Sequence, residues 1–282
     1  MDERLNELVV AVLSSTKYRH VSPELVQSVG ERELSIRPSV KSAVKATKNV
    51  LHQAGGAYLD APIDYGKALS RLREAANRSS ADSRPFRDAC RAVMALHTST
   101  RERLPLLDDF YTTALAGMSP PARVLDIACG LNPLARAWMP FPQSTEYIAY
   151  DIYGDQVEFL SSFFALAGIP GRAEVRDVAG RPPDEPADLA LVLKTLPCLE
   201  ALDKRAPARL LDAVQARFLL VSFPARSLGG RRKGMATHYE NRFQRLLEDR
   251  NWPVQRFEFA TELAFLVRKD VPPESPEAAG ET

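Results

Sequence analysis

The chain has 282 residues, of which 45% are hydrophobic and 26% are charged, and its formal net charge at pH 7 is +1. This length allows one large domain or a main domain with a smaller one, and no apolar run is long enough to cross a bilayer. Three scattered cysteines, Cys90, Cys129 and Cys198, exclude a disulfide framework and a zinc site, so we expect a cytoplasmic protein without a bound metal.

Apolar residues at helical spacing run through roughly the first hundred residues. Ser22 followed by Pro23 is typical of an N-cap and a first helical position. Further helical patterns cover residues 66–78 and 84–117. We therefore expect an all-helical domain over residues 1–105, separate from the sheet predicted below.

Four bases within residues 35–55 are spaced four, four and three residues apart. This spacing predicts that they share one face of a helix, and no acid interrupts the segment. Such a stripe can bind the phosphates of a nucleic acid. The alternative is that these bases only face solvent and bind nothing. The predicted RNA-binding residues of this basic stripe are Arg37, Lys41, Lys45 and Lys48.

Residues 123–134 combine a strand, a tight turn and the start of a helix. An apolar, β-prone run stops at Gly130, and Pro133 then opens a helical pattern. This sequence of elements is typical of the first βα unit of a doubly wound sheet, whose ligands lie beyond the carboxyl ends of the strands. The residues predicted at the mouth of such a site are Asp126, Cys129, Gly130 and Asn132.

The turn lacks the glycine pattern of a dinucleotide site. Ala128 and Asn132 stand where G-x-G-x-x-G would have its second and third glycines. An acid at the end of the strand with one required glycine suits S-adenosyl-L-methionine (SAM), which has no pyrophosphate to bind. An ordinary βα turn, in which Gly130 is needed only for its backbone angle, remains an alternative.

Two further strands of this region also end in acids. Residues 147–151 end in Asp151, which in this fold can accept both ribose hydroxyls of a nucleoside. Residues 173–177 end in Asp177, placed to receive an adenine amino group. Together with Asp126, three successive strand ends carry a carboxylate, and this repetition favours a nucleoside cofactor.

The remaining pattern completes a mostly parallel sheet. Residues 188–193 are typical of a central strand buried on both faces, and residues 218–221 form a fifth strand. Residues 254–259 and 262–268 predict a closing hairpin. We therefore expect a Rossmann-like, seven-stranded α/β fold of the SAM-dependent methyltransferase type over residues 106–269.

Two segments near the carboxyl terminus differ from the rest in charge. Residues 270–282 carry four acids, three prolines and no base, which predicts a disordered tail. A loop over residues 225–234 combines four bases with three glycines, which suits contact with phosphate. The predicted RNA-binding bases of this loop are Arg226, Arg231, Arg232 and Lys233.

Four separated motifs carry a family resemblance. They lie at residues 99–104, 124–134, 193–200 and 222–231, and the similarity reaches to about Lys269. The chain resembles the aminoglycoside-resistance 16S rRNA methyltransferases of actinomycete antibiotic producers, above all the branch that methylates N7 of a decoding-site guanine. The resemblance implies SAM as cofactor, S-adenosyl-L-homocysteine (SAH) as product and the 30S subunit as partner. It also implies that the helical domain over residues 1–105 binds rRNA or the ribosome. We expect a monomer.

The resemblance also implies roles for individual residues. Arg103 would bind the SAM carboxylate, with Arg101 in the same stretch as an open alternative. Lys194 and Arg231 would lie near the target nucleotide and are the predicted catalytic residues. The complete predicted cofactor-binding set, in which Gly130 flanks the methionine part, is Arg103, Asp126, Ala128, Gly130, Asp151, Ile152, Asp177, Val178 and Lys194.

Guanine N7 carries an in-plane lone pair and no proton, so its methylation needs no general base. The enzyme must exclude water and align N7 with the methyl–sulfur bond, an entropic contribution of several kcal/mol. This fits a predicted site without an evident His or Asp base, and it assigns Lys194 to holding phosphate or guanine O6. A strand-end cation facing solvent remains an alternative for Lys194, and a solvated loop for Arg231.

Other functions remain as alternatives. Pro197 and Cys198 also resemble cytosine-C5 methyltransferases, in which a thiolate adds to the ring, but no acid stands beside Pro197 to protonate the base. A SAM enzyme acting on a small antibiotic precursor predicts turnover without ribosomes and leaves the basic segments unexplained. Methylation of the neighbouring decoding-site adenine at N1 is another target of the same class. An inactive RNA-binding module is disfavoured by the three strand-end acids.

Overall fold

The computed structural model describes residues 3–56, 61–78, 80, 83–225 and 235–269. Within them, helices precede a sheet that carries helices on both faces. No helix in this part of the chain is long and apolar enough to span a bilayer. The sequence predictions that lie outside the described residues concern the tail over residues 270–282 and the loop bases Arg226, Arg231, Arg232 and Lys233.

The amino-terminal region is helical wherever it is described as regular structure, as predicted. Its helices are α1 Glu3–Leu13, α2 Pro23–Ile36, α3 Val40–Ala54, α4 Tyr65–Arg78, α5 Arg84–Met94, α6 Thr98–Arg103 and α7 Leu107–Ala114. Helices α1, α2 and α3 pack against one another. Ser22 caps α2, because its hydroxyl accepts the amide of Leu25 at 3.3 Å.

The basic stripe is shorter than predicted. Helix α2 ends one residue before Arg37, and α3 begins three residues after it, so Arg37 lies in extended backbone between two helices. Pro38 explains the break, since the residue before a proline is disfavoured in the helical region. The prediction of one shared helical face is therefore wrong for Arg37. Lys41, Lys45 and Lys48 lie on α3.

Seven strands form one sheet in the order β3-β2-β1-β4-β5-β7-β6. Strand β7 is antiparallel to both of its neighbours, and the other pairs are parallel. The predicted seven-stranded, mostly parallel fold is thereby confirmed. The strands are β1 Arg123–Ile127, β2 Glu146–Asp151, β3 Gly171–Val175, β4 Ala187–Leu193, β5 Ala216–Pro224, β6 Val254–Glu258 and β7 Glu262–Arg268.

Both faces of the sheet are covered. Val124 packs into the apolar cluster beneath α5, α7 and the helix after β2, whereas Leu125 packs into the cluster shared with α1 to α3. This alternation follows from the two-residue period of a strand. A 3₁₀ helix over Asn132–Trp138 replaces the helix predicted from Pro133. The remaining helices are α8 Gly154–Ala167, α9 Thr195–Leu202, α10 Ala206–Ala213 and α11 Met235–Leu247.

Main-chain hydrogen bonds join the amino-terminal helices to the loop after β2. The amide of Ser22 donates to the carbonyl of Ile152 at 2.7 Å, and the amide of Gly154 donates to the carbonyl of His20 at 2.7 Å. The residues between these pairs form an isolated antiparallel bridge. The link between α1 and α2 therefore fixes the loop that follows the acid-ended second strand.

Candidate active site

A cavity opens at the carboxyl ends of β1 and β4, where the strand order reverses. Reversals of this kind are where open α/β sheets bind their ligands. The cavity is open to solvent on one side. The predicted cofactor-binding residues that line it are Ala128, Gly130, Asp151, Ile152, Asp177, Val178 and Lys194.

Two residues of the cavity wall adopt backbone conformations that are rare outside glycine. Ala128, in the turn after β1, has φ +52°, and Lys194, at the start of α9, has φ +60°. Left-handed conformations of such residues cost about 1–3 kcal/mol each, and they concentrate at functional sites. The turn and the start of α9 are thus both shaped at the expense of local stability.

Gly130 lets a side chain from the helical region approach the turn. Its φ is +53°, and a Cβ atom at this position would lie 3.0 Å from the ring of His97. His97 directly precedes α6, and its Nδ1 shares a 3.2 Å hydrogen bond with the Ser99 hydroxyl. The glycine is therefore required by close packing as well as by its backbone angle.

Main-chain amides hold the Asp151 carboxylate at the end of β2. Its Oδ2 accepts the amide of Gly130 at 2.8 Å, and its Oδ1 accepts the amides of Ile152 at 2.7 Å and Tyr153 at 3.3 Å. Burial raises the pKa of Asp151, and these hydrogen bonds oppose the rise. A carboxylate has about four lone-pair positions, and three of them are used here, so one position on Oδ2 remains for a ligand hydroxyl.

Asp177 lies on the same cavity as Asp151, although it comes from a different strand. It follows β3 by two residues, whereas the sequence pattern predicted it at the last position of that strand. Its Oδ1 accepts the amide of Ala179 at 3.0 Å. Burial raises the pKa of Asp177, while amide hydrogen bonds from Gly180 and Ala179 lower it. The predicted convergence of these two strand ends is therefore observed.

The ammonium group of Lys194 is enclosed by acceptors. Its Nζ donates to Glu102 Oε2 at 2.8 Å and to the carbonyl of Ser99 at 3.0 Å, and it lies 3.5 Å from Glu262 Oε2. Three acceptors match its three protons. Lys194 is only 2% exposed, so the alternative of a strand-end cation facing solvent is wrong.

The guanidinium of Arg103 forms a buried ion pair. Its Nε and Nη2 donate to the Glu262 carboxylate, with a shortest distance of 2.6 Å, and its Nη1 donates to Asn132 Oδ1 at 2.8 Å. Burial acts to raise the pKa of Glu262, but Arg103 and Lys194 outweigh burial and hold the pKa below its usual value. The alternative residue, Arg101, is exposed.

Asp126 and Arg103 are predicted cofactor-binding residues that do not line the cavity, and both are 1% exposed. The Asp126 Oδ2 accepts the Tyr147 hydroxyl at 2.7 Å and the Asn132 side-chain amide at 2.9 Å. Burial raises the pKa of Asp126 to about 7, although both hydrogen bonds lower it. A polar chain thus runs from Asp126 through Asn132 and Arg103 to Glu262.

This arrangement corrects the predicted mouth of the site. Of the four residues expected there, Gly130 lines the cavity, whereas Asp126, Cys129 and Asn132 are buried beside it. The side chain of Asp126 faces Asn132 and Tyr147 because strand residues alternate between the two faces of the sheet. An acid at the end of a strand therefore contacts a ligand only where the following turn directs its side chain into the cavity.

The basic residues of α3 share a helix with part of the cavity wall. Lys41 and Lys45 are exposed and Lys48 is half-buried, whereas Arg37 pairs with a glutamate of α2. The same helix ends at Ala54, which lines the cavity. The helix that carries the predicted phosphate-binding lysines therefore also contributes its last residue to the cavity wall.

Several residues of the site were not predicted. His97, Ser99 and Tyr153 line the cavity, and Glu262 lies behind Lys194. The sequence did offer a signal for Glu262. It begins a predicted strand and pairs with Pro224 at the end of β5, so it lies at the edge of the sheet where the parallel strands end. The other three lie in loops or helix starts, where spacing alone carries little information.

The strand order, the antiparallel β7 and the two strand-end acids on one cavity define a Rossmann-like methyltransferase. Residues 14–266 match the family described as ribosomal RNA methyltransferase (FmrO). The chain belongs to this family, which confirms the resemblance seen in its motifs.

The similarity to known proteins extends over nearly the whole chain. A protein of Micromonospora echinospora is 36% identical over 270 residues, covering 95% of this chain and 98% of the relative, and one of Frankia casuarinae is 40% identical over 271 residues, covering 95% of each. Both are named 16S rRNA (guanine(1405)-N(7))-methyltransferase.

The crystal structure of the 16S rRNA methyltransferase RmtF with SAH has a TM-score of 0.78 at 35% identity, covering 95% and 99% of the two chains. The 16S rRNA methylase RmtB has a TM-score of 0.76 at 28% identity, covering 94% and 98%.

Proposed function

We propose that the protein transfers the methyl group of SAM to N7 of a guanine in the decoding A site of 16S rRNA, within the 30S subunit. The modification makes ribosomes resistant to aminoglycosides of the kanamycin and gentamicin type, since it adds bulk and positive charge where a polycationic drug binds. The observation that carries the proposal is the convergence of Asp151 and Asp177 on one cavity in a member of this methyltransferase family.

The residues of the cavity fit SAM. Asp151 offers a carboxylate acceptor for a ribose hydroxyl, and Asp177 offers one for an adenine amino group. Ile152, Val178 and Leu199 line the cavity with apolar side chains, against which the adenine base is proposed to pack. Apolar walls with a few directed polar groups are what small-molecule sites require.

The polar chain beside the cavity supports the methionine end of the cofactor. Glu262 and Asn132 use three of the five N–H donors of Arg103, and the remaining two are the proposed partners of the SAM carboxylate. Asp126 acts through Asn132, whose side chain it orients. Gly130 flanks the methionine part.

The proposed reaction needs alignment and no general base. The cofactor supplies an electrophilic methyl group on a sulfonium, and guanine N7 already has a free lone pair. Lys194, held at the cavity edge by Ser99 and Glu102, is the residue proposed to lie near guanine O6 or a phosphate of the target nucleotide. Arg231, outside the described residues, is proposed to act at the target nucleotide as well.

Positive side chains are proposed to hold the rRNA. On α3 these are Lys41, Lys45 and Lys48, with Arg37 next to the helix. Phosphate contacts of this kind provide affinity that falls steeply with salt. The loop bases that join them in this proposal, all outside the described residues, are Arg226, Arg231, Arg232 and Lys233.

The proposed organisation follows from these roles. Residues 1–105 dock on the 30S subunit, residues 106–269 carry out methyl transfer and residues 270–282 form an acidic tail. Four of the cavity residues come from the first of these segments, so docking and catalysis share a wall; they are Ala54, Gly55, His97 and Ser99. A cytoplasmic monomer acting on assembled 30S subunits fits this arrangement.

The test is transfer of labelled methyl from SAM to purified 30S subunits. We expect incorporation that requires the subunit and approaches one methyl per particle. A pool of aminoglycosides and their precursors, offered without ribosomes, serves as the alternative substrate. Labelling of the small molecules with none in the rRNA would contradict the proposal and favour an antibiotic-tailoring enzyme.

A further inference from the structure

The closing hairpin contributes a carboxylate to residues far from it in sequence. Glu262 is the first residue of β7, is fully buried and contacts both Arg103 and Lys194. We propose that Glu262 is a positioning residue of the methyl-transfer site, which fixes these two cations and offsets their charge beside a cavity that takes a cationic cofactor. This inference rests on the function proposed above.

The hydrogen-bond geometry makes Glu262 a junction between three elements. Arg103, at the end of α6, donates to both carboxylate oxygens, and Ser222 of β5 donates its hydroxyl to Oε1 at 2.5 Å. Lys194, between β4 and α9, lies 3.5 Å from Oε2. Forked arginine–carboxylate pairs fix direction as well as distance. Glu262 therefore fixes the direction of the Arg103 guanidinium and adds an ion-pair contact to Lys194.

Charge balance gives Glu262 a second effect. Arg103 and Lys194 are both at least 98% buried, and the other carboxylate on Lys194, Glu102, has a side chain that is 29% exposed. Without Glu262, Lys194 would keep only this partly solvated carboxylate, and Arg103 would keep the neutral Asn132 oxygen as its hydrogen-bond acceptor. Unpaired buried charge is strongly unfavourable, and it would repel a further positive charge in the adjoining cavity.

SAM and SAH differ in net charge, which is the property that the charge of Glu262 acts on. The sulfonium gives SAM one net positive charge, whereas its loss with the methyl leaves SAH neutral, and the two molecules are otherwise nearly identical in shape. A residue that merely supports the fold changes both affinities alike. The charge of Glu262 affects the affinity for SAM more than the affinity for SAH, which separates the two roles.

The test compares Glu262→Gln, Glu262→Asp and wild type by calorimetry with SAM and SAH and by steady-state kinetics on 30S subunits. For Glu262→Gln we expect at least tenfold weaker SAM binding, a smaller loss for SAH and a lower kcat at saturating SAM. Glu262→Asp keeps the charge but shortens the side chain. It should restore the ratio of the two affinities, while kcat stays at least fivefold low.

Glu258→Gln is the matched control on the same hairpin, because Glu258 is exposed and pairs with Arg256 on the surface. It should behave as wild type. Equal losses of SAM and SAH affinity in Glu262→Gln, or none, would overturn the inference. Should that variant not fold, an unchanged kcat in Glu262→Asp would overturn it. A wild type that binds neither ligand would instead refute the proposed function.

Discussion

The amide of Gly130 donates a 2.8 Å hydrogen bond to Oδ2 of Asp151, which joins the turn after β1 to the end of β2. The two parts of the cavity proposed to hold the methionine and the ribose are therefore one rigid unit. The same turn packs against His97, so the helical region contacts this unit directly. Perturbation of either residue should consequently affect both ends of the cofactor site.

Asp151→Ala should weaken SAM binding at least tenfold. It removes the proposed acceptor for a ribose hydroxyl and leaves the amides of Gly130 and Ile152 without a partner, and hydrogen bonds to charged groups contribute about 1.5–3 kcal/mol each. Calorimetry with SAM and SAH measures the loss. Glu158→Ala, an exposed acid on α8, is the control. Unchanged affinity in Asp151→Ala would refute its proposed contact with the ribose.

Gly130→Ala should destabilise the fold by about 1–2 kcal/mol, because φ +53° disfavours a side chain, and should also weaken SAM binding. The second effect arises because the new Cβ meets the His97 ring at 3.0 Å. Gly117→Ala is a matched control, since its φ is +81° and no atom lies within 4 Å of its Cβ position. Urea unfolding and calorimetry should find similar stabilities but different affinities. Equal affinities would argue against a role of the His97 contact.

Reversing charge on α3 should separate rRNA docking from cofactor binding. Lys41→Glu with Lys45→Glu is expected to weaken binding of 30S subunits at least tenfold and to reduce its salt dependence, with SAM affinity intact. The control, Arg217→Glu with Arg268→Glu, places the same charge change at the opposite edge of the sheet. Sedimentation binding at several salt concentrations is the measurement. If both double variants bind alike, α3 does not form part of the interface.

Asp126 should make the stability depend on pH. Its pKa is raised from 3.8 to about 7 by burial, so the folded protein binds the proton more tightly than the unfolded chain does. The free energy of unfolding should therefore fall as pH rises between these values, and remain level above them. The difference between wild type and Asp126→Asn, measured by urea unfolding at pH 5, 6, 7 and 8, isolates this group. A difference that does not vary with pH would show that Asp126 has an ordinary pKa.

The sequence predicts the seven strands and their mostly parallel arrangement well, because apolar runs such as residues 188–193 have few alternatives to a buried strand. It also predicts Asp151 and Asp177, since parallel strands end at one edge of the sheet. It does not predict the pairing of Arg103 with Glu262, which lie 159 positions apart. Only the packing of α6 against β7 brings that pair together.

Local rules account for the predictions that were wrong. The break at Arg37 follows from Pro38, a signal that was present in the sequence but outweighed by the regular spacing of bases. The direction of Asp126 depends on how the turn leaves β1, and that turn includes Ala128 in a left-handed conformation. Such a conformation has no marker in a non-glycine residue, so the sequence gives no basis for predicting it.

Mapping the modified nucleotide tests the central claim most directly. 16S rRNA from 30S subunits treated with protein and SAM is reduced with borohydride and cleaved with aniline, which breaks the chain at N7-methylguanine. Primer extension then locates the break. We predict one new cleavage, at a guanine of the decoding A site, which requires both protein and SAM. Labelled subunits without that cleavage, or with a primer-extension stop at the neighbouring adenine, would contradict methylation of guanine N7.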